Sequence, residues 1–151
     1  MNNKDVAKHW VKQCRVHGKG SNFFFDGPTL YSYRLSYPLA HLYQAGALVR
    51  YESYSPSTGR HKRYAVNALS YAGVHYAFAS NILPAHMEDH YENMDRLRTE
   101  ALRIKGEYES KRKGTKIKEY LRQDYNRAVI SMQAYARMFD ITNSSGLELI
   151  P

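Results

Sequence analysis

Seven histidines and a run of cations are the side chains of this 151-residue chain best suited to chemistry. The histidines are His9, His17, His41, His61, His75, His86 and His90. Imidazole ligates metals and moves protons near neutral pH. His86 and His90 stand four apart, so their rings can share a helix face, with Glu88 and Asp89 between them. The pattern is not the HExxH of zinc proteases, because Met87 follows His86, and a third ligand would have to come from elsewhere. A solvated helix start accounts for the pair, and no metal ligand is assigned. His61 lies within Arg60-His61-Lys62-Arg63, where three cations disfavour its protonated form. A neutral, hydrogen-bonding role in a phosphate site fits it. No nucleophile or acid stands at motif spacing, so a general base here lacks partners. Asp26 and Glu52 are the only carboxylates between Gly20 and Ser80. A two-metal nuclease needs converging carboxylates, so that reading depends on Glu88 and Asp89 folding back. No catalytic residue and no cofactor is assigned, and a binding module fits better than an enzyme.

The cations point to an anionic partner. The formal net charge is +8. Residues 1–80 carry 10 Lys and Arg against 3 Asp and Glu, whereas residues 81–151 carry 12 against 11. The excess therefore belongs to the N-terminal half. The candidate phosphate contacts are Lys8 and Lys12 on a first helix, then Arg34, Arg50, Arg60, Lys62 and Arg63. Side chains of this kind hold a backbone without reading bases. Tyr54 and Tyr64 join them as rings for stacking, and His61 as a polar neighbour. Nine of the fourteen tyrosines fall between Tyr31 and Tyr76. Some must be core, and exposed ones could stack on unpaired bases or anchor a protein interface. Tyr33, Tyr54 and Tyr64 are the expected exposed rings, each beside an arginine in sequence or across a turn. Gly18-Lys19-Gly20-Ser21 lacks the spacing and preceding strand of a phosphate loop, and reads as a helix-to-strand turn.

Length favours one domain with a real core. Cys14 is the only cysteine, which rules out an intrachain disulfide and a thiolate zinc cluster. It sits among Val6, Ala7, Trp10 and Val11 and is expected to be a buried thiol. The N-terminus lacks the apolar stretch of a signal peptide, and no run reaches the length of a membrane span. A soluble protein of a reducing compartment, with no membrane contact, is the expectation.

The elements that must position these groups follow from periodicity. Residues 4–17 read as a helix closed by Gly18 and Gly20. Residues 22–34 read as a hairpin around Asp26-Gly27-Pro28. Residues 37–43 read as a short helix opened by Pro38, with a strand carrying Pro38 at its edge as the other option. Residues 47–66 read as a second hairpin turned at Pro56-Ser57-Thr58-Gly59, its return strand carrying the basic run 60–63. Residues 67–80 read as an uncharged covering helix. Two long helices, at about 85–105 and 115–139, flank a loop at 106–114 and pack as an antiparallel pair. Residues 141–151 read as a tail. The fold class is α+β: a small antiparallel sheet of hairpins flanked by helices, followed by a long antiparallel helical hairpin.

The segments FFFDGPTLYSY, YPLA and YSPSTGRHKRYAVNAL resemble a poorly characterised domain of small bacteriophage-encoded proteins. The shared features are the run Phe25 to Tyr33, then Pro38 to Ala40, then Tyr54 to His61, while Pro28 and Arg34 depart from the commoner pattern. The resemblance covers residues up to about 75. It implies a phage origin and a location in the cytoplasm of the infected bacterial host, and it supplies no catalytic set. Three functions follow for comparison. One is nucleic-acid binding, to DNA or RNA, through a basic hairpin. Another is binding and blocking an acidic host protein. The third is the metal-dependent nuclease. The long helices also allow a homo-oligomer.

Overall fold

The computed structural model describes residues 1–33, 35, 37–52, 55–143 and 146–151. The first helix, α1, spans Asn3–Lys12 and is capped by the Asn2 side chain, which accepts from Asp5 N at 2.9 Å. Val6, Ala7 and Trp10 share its buried side. It ends five residues before the expected point, because Gln13 turns left-handed (φ +51). The Gln13 amide then ties the Trp10 and Gly27 carbonyls together, at 2.6 and 2.9 Å. Cys14 therefore lies past the helix and is exposed, not the buried thiol expected.

An antiparallel meander follows: β1 (His17–Lys19), β2 (Phe23–Asp26) and β3 (Thr29–Ser32). The turn between β2 and β3 falls at Gly27-Pro28, as its chemistry requires, with Gly27 at φ +56. Gly18 is part of β1 rather than of a turn, and it lies flat on the Phe25 ring. A Cβ there would stand 2.6 Å from Phe25 Cε1.

Three expected elements are different in the structure. Residues 37–43 form a strand, β4 (Pro38–Tyr43), not a short helix; Pro38 opens it, where a missing N–H is tolerated. β4 pairs with β3 and with β5 (Gly46–Arg50). The second hairpin does not form, and its basic return strand is instead the body of a helix, α2 (Pro56–Tyr71). Ser55-Pro56 is a helix start in chemical terms: Ser55 Oγ accepts from Thr58 N at 3.2 Å, and proline occupies the first turn. Thr58, His61, Ala65 and Leu69 recur at helical spacing and are buried. Lastly, 67–80 is not one helix. α2 stops at Tyr71, Gly73 turns at φ +71, and Tyr76–Ala79 becomes β6, parallel to β5. β5, α2 and β6 thus make a β-α-β unit. The result is a six-stranded mixed sheet in the order β1 to β6.

The helical hairpin stands as expected. α3 (Met87–Ser110) and α4 (Lys116–Met138) pack against each other. α3 runs through Gly106 to Ser110, so the expected loop narrows to its last residues. The tail is anchored rather than free. Asn126 exchanges two 2.8 Å bonds with the Ile150 backbone, and Tyr125 Oη donates to Glu148 O at 2.9 Å.

Sheet pleating sorts these elements into three layers. Phe23, Phe25, Leu30, Ala47 and Val49 meet Val6, Trp10, Ala65 and Leu69, so α1 and α2 lie side by side on one face. Leu48, Ala77 and Ala79 meet Leu97, Ala101, Val129 and Met132, so α3 and α4 cover the β5–β6 end of the other. Every buried side-chain nitrogen and oxygen among the described residues has a partner. Asn93, for example, spans Asn81 and the Tyr135 hydroxyl. Among the described residues no helix is long and apolar enough to cross a membrane.

Candidate functional site

The layering gives the charge a direction. α1 and α2 together hold six Lys and Arg against one carboxylate, Asp5. α3 and α4 hold nine against nine. One helical layer is therefore strongly positive, and the layer behind the sheet is neutral. On α1, Lys4, Lys8 and Lys12 are all exposed and stand one turn apart, about 6 Å of rise between neighbours. On α2, Arg60 and Arg63 are exposed on the side opposite Thr58, His61, Ala65 and Leu69. Because the two helices lie against each other on one sheet face, these five cations look outward from one surface. Arg15, just past α1, is exposed as well.

The other expected contacts do not belong to this surface. Arg50 sits at the end of β5, where its Nε donates to Pro38 O at 2.8 Å and its guanidinium lies 4.8 Å over the Tyr37 ring. Lys62 turns away from the solvent side of α2. Its Nζ donates to Tyr51 O at 2.7 Å and lies 5.7 Å from the centre of the Phe78 ring. Burial lowers its pKa, with Glu52 acting the other way. Tyr64 is half-buried beside Phe23, so the expectation of an exposed ring fails there. Tyr33 is exposed as expected. Arg34 and Tyr54 lie outside the described residues.

His61 also moves from the surface to the interior, with 5% of its area exposed. Once 60–63 is helical, its position faces inward while Arg60 and Arg63 face out. Its ring stacks on Phe23 at 4.6 Å, and Nδ1 shares a 2.7 Å hydrogen bond with Ser32 Oγ. Asn3 Nδ2 stands 3.5 Å from Nε2. A hydroxyl beside an imidazole is the pairing used by nucleophilic enzymes. Here Ser32 has no exposed area, so the pair binds β3 to α2 instead of meeting a substrate.

Burial first, and Arg60 second, lower the His61 pKa, so the folded protein resists its protonation. The unfolded chain takes up that proton near pH 6.5. Stability from this site is therefore complete above about 6.5 and declines as pH falls below it. His41, bonded to Thr29 Oγ1 at 2.7 Å and also lowered by burial, acts in the same direction. Thermal melts should show the midpoint falling between about pH 7 and 5, above the range in which ordinary carboxylates titrate. His61→Gln should lose less over that interval than the native chain.

The remaining histidines do not gather. His86 caps α3, and His90 Nδ1 bonds the Tyr135 hydroxyl at 2.8 Å. Asp89 accepts from the Ala85 and His86 amides, at 2.9 and 3.0 Å, instead of folding toward Asp26 or Glu52. Among the described residues no three of His, Cys, Asp and Glu stand where they could hold a metal ion. The metal-nuclease reading has no support in this arrangement.

One row was not foreseen. Lys19, Phe24 and Tyr31 are register partners across β1, β2 and β3. Phe24 and Tyr31 stack at 5.1 Å on the sheet face turned away from α1. The alternation Phe23-Phe24-Phe25 was the available signal, but it does not say which ring the first helix covers. Comparison with family models, with curated proteins and with solved structures finds no match.

Proposed function

We propose that this chain is a nucleic-acid-binding module that holds phosphates on the outer side of the α1–α2 layer. The observation that carries the reading is the segregation of charge: five exposed cations on two adjacent helices, with Asp5 the only carboxylate within either helix. Lys4, Lys8 and Lys12 form a column that can follow a backbone, and Arg60 and Arg63 supply planar forks suited to phosphate. None of these is placed to read base edges by itself, so the expected binding is sequence-tolerant. The phage origin that the resemblance implies is compatible with this role.

An acidic protein face is the second partner this surface fits, since it too would lay carboxylates along the same helices. Salt titration separates the strength of the polyanion component from the rest. Binding of labelled single- and double-stranded DNA and RNA should weaken steeply between about 50 and 200 mM salt, with a log–log slope near −0.9 per duplex phosphate held. Four contacts give a slope of about −3.6. A slope near zero, or no binding to any of the four probes, would overturn the proposal. Retention of a stoichiometric host protein after nuclease treatment would transfer the surface to the second partner.

A further inference from the structure

The sheet stops at β6, which pairs only with β5. Ala47 N donates to His75 O and Tyr51 N to Ala79 O, both at 2.9 Å, so the odd-numbered carbonyls around β6 face β5. Alternation along a strand then turns the N–H and C=O of Tyr76 and Phe78 toward the open edge. Among the described residues no group bonds to them there. An unpaired strand edge is ordinarily shielded or charged. This one instead opens into a groove of about 680 Å³.

Residues from both sides of the sheet line that groove. Ser70, in the last turn of α2, and Val74, in the loop that follows it, stand on one side. Leu97 and Ile104 of α3 and Leu121 and Ala128 of α4 stand on the other. A strand occupies about 4.8 Å across the sheet, roughly 10 Å between layers and about 3.3 Å per residue along its length, or some 160 Å³ per residue. At about 680 Å³ the groove is on the scale of a short extended segment rather than of one side chain. Its size, its free hydrogen-bonding groups and its two walls are those of a missing seventh strand.

We infer that the groove receives an extended, uncharged segment of a partner protein, which adds to the sheet beside β6. The charges at the rim decide the chemistry of that segment. Arg103 is already paired with Glu100 and Glu107, Arg127 with Asp124, and Arg96 with Glu52. With three arginines and three carboxylates in its lining, the groove has no net charge with which to select a phosphate chain or a charged peptide. It complements a segment with apolar side chains at alternate positions, one set against Leu97, Ile104, Leu121 and Ala128, the other against Val74. Main-chain bonds to Tyr76 and Phe78 would supply affinity and the two walls specificity. A second copy cannot offer its own β6, because each edge is recessed between helices and two recessed edges do not meet. The groove lies apart from the cations of α1, so this inference is independent of the phosphate-binding proposal.

The test uses the intact chain and a displayed library of random heptapeptides. Selected peptides should share alternating apolar residues and slow amide exchange at Tyr76 and Phe78 at least about tenfold. Ile130→Arg, at a groove-lining position with 41% of its area exposed, should weaken those peptides at least tenfold while leaving the melting midpoint close to native, and Ala128→Arg, at a half-buried position against the α3–α4 core, should weaken them as well. Failure to select any peptide would overturn the inference. So would peptides that bind Ile130→Arg as well as the native chain, or that leave exchange at Tyr76 and Phe78 unchanged. A concentration-dependent dimer abolished by Ile130→Arg would also overturn it, assigning the groove to self-association.

Discussion

Alanine at Lys8, Lys12, Arg60 and Arg63 together is expected to lower affinity for a duplex polyanion on the order of 10³-fold at about 0.1 M salt. The magnitude comes from counterion release. Each phosphate held contributes about 0.9 to the log–log salt slope, so four lost contacts remove about 3.6. At 0.1 M that difference exceeds three decades, and it shrinks toward nothing as salt approaches about 1 M. The four side chains are exposed and lie on the outer sides of α1 and α2, so the fold should survive their truncation. Removing four cations from the neutral layer, Arg98, Lys105, Lys116 and Arg137, is the matched control. It subtracts the same net charge from the molecule. If attraction to overall charge were all that mattered, both variants would lose the same affinity. A surface that grips phosphate locally loses it only in the first.

Trp10→Ala should have the largest effect on stability of any single side chain in the α1–α2 layer. Trp10 has no exposed area, and its Nε1 donates to Pro28 O at 2.8 Å. It is thus the point at which α1 is fastened over the turn between β2 and β3. Truncating a buried tryptophan costs about 3–5 kcal/mol, from lost transfer energy and the cavity left behind. For a domain near 150 residues each kcal/mol moves the midpoint by about 2–4 °C, so a fall of roughly 10 °C or more is expected. Trp10→Phe keeps most of the apolar area but not the bond, and should fall between the two. Urea or thermal unfolding of the three chains measures the series. A midpoint for Trp10→Ala within about 2 °C of native would show that α1 is not held through this residue.

Elements governed by near neighbours were legible from the residues alone. The β2–β3 hairpin could be placed because Asp26-Gly27-Pro28 admits little besides a turn, whereas β1 could not, its three residues reading as the end of a helix and a turn. α3 and α4 could be placed because their apolar residues recur at helical spacing over many turns. α1 was found, but its end depended on Gln13 reaching the Gly27 carbonyl, a contact fourteen residues away. The region 47–80 was misread because its signals compete locally. Pro56-Ser57-Thr58-Gly59 is acceptable both as a hairpin turn and as a first helical turn. Only the packing of Thr58, His61, Ala65 and Leu69 against the sheet favours the helix. Tyr76 to Ala79 is short and uncharged, and its neighbour β5 lies some thirty residues earlier in sequence. Parallel pairing across a crossover leaves no local mark.

The amino-acid sequence by itself determined that the cations gather in the first half of the chain, that one cysteine forbids an intrachain disulfide, and that two long helices close the chain. These are matters of composition and short-range periodicity. Only the tertiary structure decided which cations act together. Turning 60–63 from a strand into a helix sent Arg60 and Arg63 to the exposed side of the layer that also carries Lys4, Lys8 and Lys12, while His61 went into the core and Lys62 to the Tyr51 carbonyl. A strand would have divided the four residues between two faces of a sheet, two by two. The period of the backbone, chosen by what the whole chain buries, therefore decided which side chains meet a partner.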